Sequence, residues 1–173
     1  NMQRYGNHLS TGFVGTPYLC HVMSRFNHAD VAYRLLLQDT YPSWLYPVKM
    51  GATTIWERWD GIRTDGTFET PTMNSYNHYA YGAIGDWMYR VAAGIDTKEE
   101  APGYKEITIK PTIGGGLTNV AADSETNYGK VSSHWTVDGS LLKMDIEIPA
   151  NTTATIYIPG TSSSTMTEGD KAI

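Results

Sequence analysis

Helices over residues 1–101, followed by an antiparallel β-sandwich over residues 102–173, form the architecture that this sequence predicts. Three observations carry the prediction. Apolar residues recur at three- and four-residue spacing before Pro102-Gly103, they alternate with polar ones after it, and the dipeptide Asp138-Gly139 separates two of the alternating runs. Strands grouped after helices, rather than interleaved with them, argue against a βαβ layout.

The elements follow in chain order. A first helix is expected from Pro17 to Phe26. A second runs from Val31 to Gln38, opened by Asp30, whose charge suits a first turn. The clearest helix follows Asn74, where Tyr76, Tyr79, Ala80, Ala83, Ile84, Trp87, Met88 and Val91 would share one apolar face, and Gly94 supplies the stop. Beyond Pro102 the alternating runs are Ile107 and Ile109; Val131, Trp135 and Val137; Leu142, Met144, Ile146 and Ile148; and Ala154, Ile156 and Ile158. Trp135, Leu142, Met144, Ile146 and Ile156 are expected on the buried face, and Asp138-Gly139 as a tight hairpin turn. Thr161 to Thr165 reads as a solvated tail or late turn. Gly114-Gly115-Gly116 reads as a turn and not as a phosphate loop, because it lacks a following Lys-Ser or Lys-Thr and precedes a strand.

Composition narrows the functional classes. The net charge is −5 with no cluster of Lys or Arg, so neither a nucleic-acid backbone nor an anionic lipid surface is an expected partner. No apolar stretch is long enough to cross a bilayer. The single cysteine, Cys20, excludes an internal disulfide and a cysteine-built metal site, and beside His21 it reads as a small packed hydrophobe and not a nucleophile. His8, His21, His28 and His134 lack metal-ligand spacing, so no metal and no cofactor is expected. The N-terminal residues Asn1-Met2-Gln3-Arg4 carry no signal-peptide pattern and assign no localisation. Because Asn1 is not an initiator, the chain is read as a piece of something longer, or as carrying a tag remnant before Met2.

Twelve Tyr and five Trp stand against three Phe. Aromatics of this kind keep a polar edge, which suits stacking on sugars and equally suits a wet interface. They concentrate between Tyr41 and Pro71, a segment that neither period explains, and irregular segments on rigid scaffolds often carry function. Within it Glu57 lies between Trp56 and Arg58, with Trp59 and Asp60 following. A carboxylate bracketed by aromatic rings suits glycoside hydrolysis, in which the rings take the apolar face of a sugar and the carboxylate handles a proton. On local composition alone a surface ion pair of Glu57 with Arg58 or Arg63, with the Trp residues in the core, is the favoured reading.

The run Gly51-Ala52-Thr53-Thr54-Ile55-Trp56-Glu57-Arg58-Trp59-Asp60-Gly61, preceded by Tyr41-Pro42-Ser43-Trp44, resembles the signature of the bacterial α-L-rhamnosidases of glycoside hydrolase family 78. His8 to Thr16 and Asn74 to Ala80 resemble two further segments of that family in the same order, as do Ile107 to Pro111 and Ile156 to Pro159 in its C-terminal β domain. The resemblance implies the last helices of an (α/α)6 barrel followed by the β-sandwich, and a rhamnose-containing carbohydrate as partner. It implies Glu57 as the general base of an inverting reaction, Trp56 and Trp59 as pocket walls, and His78, placed in the first turn of its helix, as a substrate-binding residue. Trp44 could line the pocket or brace the loop. The acid partner lies upstream in the family, and Asp60, Asp65 and Glu69 do not stand in its motif. Two carboxylates suffice for the chemistry without a metal. Two rival readings are another (α/α)6 glycosidase and a noncatalytic carbohydrate-binding or structural module. An incomplete barrel would also expose inner helix surface and favour self-association.

Overall fold

The computed structural model describes residues 2–161, 164–169 and 171–172, with the side chains of Met2 and Gln3 excepted. Of the expected tail Thr161–Thr165, Ser162 and Ser163 lie outside the described residues. Helices α1 (Thr16–Arg25), α2 (Ala29–Leu36), α3 (Leu45–Lys49) and α4 (Ile84–Trp87) occupy the first part of the chain. Among the described residues eight strands follow: β1 (Ile95–Thr97), β2 (Glu106–Ile109), β3 (Asn119–Thr126), β4 (Gly129–Asp138), β5 (Leu141–Glu147), β6 (Thr153–Ile156), β7 (Thr167–Glu168) and β8 (Lys171–Ala172). The expected order of helices before strands is what the chain adopts.

Pro17 opens α1, where its missing N–H costs nothing because the first turn has no intrahelical acceptors for it. On α2, Asp30 lies in the first turn and pairs with Arg34 one turn later at 2.8 Å, while Ala32, Tyr33 and Leu35 turn inward. They join Leu9, Cys20, Trp44, Tyr81, Trp87 and Ala92 in one core. Burial there pushes the Cys20 thiol up to about 12, consistent with a packed hydrophobe. Of the scattered histidines, His8 Nε2 meets Thr40 Oγ1 at 2.8 Å and His21 meets Asp86 at 2.8 Å. Among the described residues no group of three His, Cys, Asp or Glu gathers at metal-binding distance.

The third helical stretch differs from its expected form. Tyr76 lies in a loop, and the helix begins as a 3₁₀ segment at Tyr79–Ala83, continues as α4, and ends as a π turn at Met88–Ala92. Three, then 3.6, then more residues per turn rotate the inward face along the chain, so a single periodicity fails. Tyr79 is 89 % exposed and Met88 is also exposed, whereas Tyr81 and Ala92, which the expected face omitted, are buried. Short α3, inside the segment that showed no period, is a further helix that spacing did not reveal.

Two three-stranded sheets, in the orders β1-β2-β6 and β3-β4-β5, face each other. Ile95, Ile107 and Ile109 from one meet Ala122 and Val131 from the other, with Met144, Ile146 and Ala154 packed alongside, which makes a sandwich with its own core. The pairings are antiparallel except β2 with β6, which run parallel. The hairpin turn comprises Gly139 and Ser140, because Asp138 pairs with Leu141. Trp135 is buried and Leu142, Met144 and Ile146 are half-buried as expected. Ile156 is the exception at 45 % exposure: it stands at the end of β6, the edge strand of its sheet, with no further strand beside it in that sheet.

Helices and sandwich meet at the end of the third helical stretch. Trp135 Nε1 donates to the Ala92 carbonyl at 2.9 Å, and Ser133 Oγ donates to the Ala93 carbonyl at 2.6 Å, so β4 satisfies two acceptors that the helix end leaves open. Gly94 then turns the chain with φ +83°, and its N-terminal side is pressed so close to β2's end that an added Cβ would lie 2.2 Å from the Pro111 nitrogen. A second closure lies nearby, where Gly114 and Gly115 rest on the Tyr33 ring and Tyr33 donates its hydroxyl to the Thr112 carbonyl at 2.5 Å. The glycine triplet is therefore a turn shaped by close approach to an aromatic ring.

On the outer face of the second sheet, Asp123 accepts from Ser132 Oγ at 2.6 Å and meets Lys130 at 3.2 Å and His134 at 3.1 Å. These contacts, Ser132 foremost, hold its carboxyl down at about 2, against 3.8 ordinarily.

Two outcomes follow from this packing. Because the clash at Gly94 is with backbone and the φ is left-handed, Gly94→Ala should destabilise the chain by about 3 kcal/mol or more, read from denaturant midpoints; a loss below about 1 kcal/mol would show that the joint can yield. A depressed folded pKa means that the Asp123 contribution is complete above the ordinary carboxylate range and fades as pH falls from about 4 to about 2. The melting temperatures of the wild type and Asp123→Asn should therefore differ at pH 7 and converge across that window; a constant gap would contradict the assigned pairing.

Candidate active site

The loop from Gly51 to Gly61 and the loop from Asn74 to His78 run side by side. Glu57 N–H donates to the Ser75 carbonyl and His78 N–H to the Ile55 carbonyl, both at 2.8 Å, and Thr54 Oγ1 donates to the Tyr76 carbonyl. These bonds bring Glu57 and His78 onto adjacent backbones even though neither loop forms a strand. Sequence distance is cancelled by two backbone bonds.

Glu57 is half-buried, and Oε2 accepts the Ser75 backbone N–H at 2.7 Å. A charge-assisted bond of this kind fixes the carboxylate's direction. Oε1 has no hydrogen-bond partner among the described residues. The surface pairing with arginine that composition favoured is not what forms. Arg58 donates to the Met73 carbonyl at 3.0 Å and pairs with Glu69 at 3.3 Å, while Arg63 donates to the Glu69 carbonyl at 3.2 Å.

The aromatic residues of these loops pack on one another and on the helix that follows. Trp59 stacks on Tyr81 with centroids 3.7 Å apart and planes 20° apart, and the edge of Trp44 meets Trp59 at 5.7 Å. Trp44 is buried and donates its indole N–H to the Tyr81 carbonyl at 2.9 Å, so it braces the loop. Burial first, and then the Glu57 charge, raise the Tyr81 phenol above its ordinary range, which places that phenol within the carboxylate's field. Trp56 is 5 % exposed and sets its edge against Tyr76 at 5.5 Å.

His78 lies one position before the helix, not in its first turn. Its backbone is extended and its Nδ1 accepts the Ala80 N–H at 3.4 Å, which is a capping role at the start of the 3₁₀ segment. Its ring lies on Phe13, whose other contact is Tyr81 at 5.0 Å. Phe13, Pro17, Ile55, His78, Tyr79 and Ala80 line an apolar hollow of about 670 Å³ beside it.

Of the neighbouring carboxylates, Asp60 has no hydrogen-bond or ion-pair partner among the described residues, whereas the other two do. Asp65 accepts from Thr67 N and Oγ1, which holds its pKa below the ordinary value, and Glu69 is engaged by Arg58. Sequence reading missed Phe13, Ser75 and Tyr81. Phe13 sits inside the His8–Thr16 segment and Ser75 inside Asn74–Ala80, but stacking and backbone donation leave no residue-type signature.

Residues 1–92 match the family model described as the bacterial alpha-L-rhamnosidase 6 hairpin glycosidase domain, and residues 94–172 match the bacterial alpha-L-rhamnosidase C-terminal domain. The chain belongs to the bacterial α-L-rhamnosidase family. It is 50 % identical over 155 residues to an α-L-rhamnosidase of Streptomyces avermitilis, covering 88 % of this chain and 15 % of that protein. It is 46 % identical over 160 residues to one of Formosa agariphila, covering 92 % and 17 %. The crystal structure of the Streptomyces avermitilis α-L-rhamnosidase complexed with L-rhamnose superposes with a TM-score of 0.87 at 44 % identity, over 99 % of this chain and 17 % of that one. That of the native enzyme from Aspergillus terreus gives 0.88 at 37 % identity, over 92 % and 18 %. This chain thus spans about a sixth of the length of these rhamnosidases.

Removing the Trp59 ring would leave Tyr81 and Trp44 without their shared partner. Trp59→Ala should cost about 2 kcal/mol in urea unfolding, and Trp59→Phe about half of that. Equal, negligible losses for both would show that the ladder carries no stability.

Proposed function

We propose that this chain is the part of an inverting α-L-rhamnosidase that supplies the general base, in an enzyme that releases terminal α-L-rhamnose from glycans or glycosides. The observation that carries the reading is Glu57: one carboxylate oxygen bound to a backbone N–H and the other unpartnered, with the stacked Tyr81 ring within its field, in a chain of this family.

In this reading Glu57 takes a proton from water as that water attacks the anomeric carbon. The glycosidic bond breaks as the new C–O bond forms, and the departing oxygen takes a proton from an acid on the opposite side. Room for the water sets the two carboxyl groups roughly 6.5–9.5 Å apart. Asp65 and Glu69 are committed to Thr67 and Arg58, and Asp60, though unpartnered among the described residues, does not stand in the acid's motif; the family resemblance supports an acid contributed by residues outside this chain. His78 would bind sugar hydroxyls, and Trp56 and Trp59 would form the wall against the sugar's apolar face. With 5 % of its surface exposed, Trp56 offers little area, and half-buried Trp59 offers more.

Residues 1–101 would then close the catalytic barrel and 102–173 form the sandwich behind it, with β1 reaching from the first into the sheet of the second. Tyr18 and Val22 on α1, with Val14 and Phe26 at its ends, form an exposed apolar line at four-residue spacing. That line supports self-association of the isolated chain.

The test has two arms. In the complete enzyme Glu57→Gln should lower kcat on the order of 10²- to 10⁴-fold with KM little changed; near-wild-type turnover would remove Glu57 from the chemistry. The isolated chain should release no nitrophenolate from p-nitrophenyl α-L-rhamnoside, and release that vanishes in Glu57→Gln would place the acid within residues 1–173.

A further inference from the structure

The Phe13 and His78 rings lie 4.7 Å apart between centroids and 11° from parallel. On a plane 13° from that of His78, Tyr79 stands at 6.0 Å. Stacking sets the plane of the imidazole but not its orientation within that plane, since a half-turn about the Cβ–Cγ bond leaves the stack intact. The bond to Ala80 makes the choice. A backbone N–H can only donate, so Nδ1 must be the acceptor. A neutral imidazole has one acceptor and one N–H, and the proton therefore resides on Nε2.

We propose that Phe13 is a positioning residue which, with the Ala80 N–H, holds His78 as an Nε2–H donor. The histidine then gives a hydrogen bond to a sugar hydroxyl and does not accept one. This rests on the reading of His78 as a sugar-binding residue and extends it to the direction of the bond.

The surroundings of Phe13 fit this role. It is 40 % exposed, so core filling does not account for its position. Its inner side is fixed by Tyr81 at 5.0 Å, and Tyr81 is in turn fixed by the Trp59 stack and by the Trp44 indole N–H. Support thus runs from the core through Tyr81 and Phe13 to the imidazole. Without Phe13 the 3.4 Å bond to Ala80 and the more distant Tyr79 ring would have to hold the imidazole, and a bond of that length is weak.

Imidazole ¹⁵N spectra of the chain labelled at its five histidines test this, with His78 assigned from the signal lost in His78→Gln. The wild type should show His78 with bare Nδ1 and protonated Nε2. In Phe13→Ala the two nitrogens should move toward the average of both tautomers, while Phe13→Tyr, which keeps the stack, should match the wild type. Unchanged signals from the other histidines control for folding. An Nδ1–H tautomer in the wild type, or a His78 pattern that Phe13→Ala leaves unmoved, overturns the proposal. Methyl α-L-rhamnoside is then titrated against each form. The His78 Nε2–H should respond in the wild type and Phe13→Tyr, and binding should weaken about tenfold in Phe13→Ala, the scale of one lost hydrogen bond. A fixed ring that the sugar does not perturb supports the positioning by Phe13 and removes the sugar-binding role of His78.

Discussion

The carbonyls of Ala92 and Ala93 are where the two halves of this chain depend on each other. A helix end leaves acceptors open, and burying them unpaired would cost on the order of 1–3 kcal/mol each. Here β4 answers them with the Trp135 indole N–H and the Ser133 hydroxyl, from 43 and 40 residues further along the chain. The helical stretch fixed in this way begins at Tyr79, directly after His78, and carries Tyr81 in its first turns. The sandwich thus anchors the far end of the strut whose near end holds the site. The Lys110 N–H bond to the Gly94 carbonyl and the Thr112 N–H bond to the Val91 carbonyl, both 2.8 Å, tighten the same joint.

How much of the fold could be read from the sequence depends on whether one period governs an element. Along β4 and β5 it does: alternation fixes which side chains face inward, and the register pairs Trp135 with Met144 and Val137 with Leu142 as successive pairs on one face of the hairpin. Along Tyr79–Ala92 it does not, because 3₁₀, α and π turns succeed one another and the inward face wanders from Tyr81 to Trp87 to Ala92. Strand β1 is three residues long, too short for any alternation to declare itself. Ile156 has the pattern of a buried residue but stands where its strand ends, and pattern carries no information about where a ladder stops.

The site divides along a different line. Glu57, Trp59 and His78 belong to local runs whose resemblance to a family could be seen, and the structure sets the first and last on neighbouring backbones. Ser75 acts through its main chain and Phe13 through a ring face, and both functions depend on partners distant in sequence. Glu57 shows the limit of compositional reasoning most directly. Two arginines stand within reach in sequence, yet Glu69 and two backbone carbonyls claim both of them. Which carboxylate wins an arginine is decided by the course of the loop, not by adjacency.

A carboxylate that handles a proton on water needs one oxygen free and its direction settled beforehand, since any reorientation during the reaction adds to the barrier. The Ser75 N–H provides direction without occupying the second oxygen. A side-chain donor such as arginine could have gripped both oxygens at once, and its long side chain would have brought its own rotamer freedom. A backbone donor has neither drawback, but it is only as rigid as the loop that holds it. That rigidity comes from the Glu57–Ser75 and His78–Ile55 bonds, from Trp56 set against Tyr76, and from the Tyr76 hydroxyl donating to the Gly61 carbonyl at 2.8 Å. The same bonds that order the carboxylate order the histidine, because each loop's backbone is the other's partner. Any change that loosens one loop must therefore be felt at both residues, and Glu57 and His78 are coupled through their backbones although no hydrogen bond or ion pair joins their side chains among the described residues.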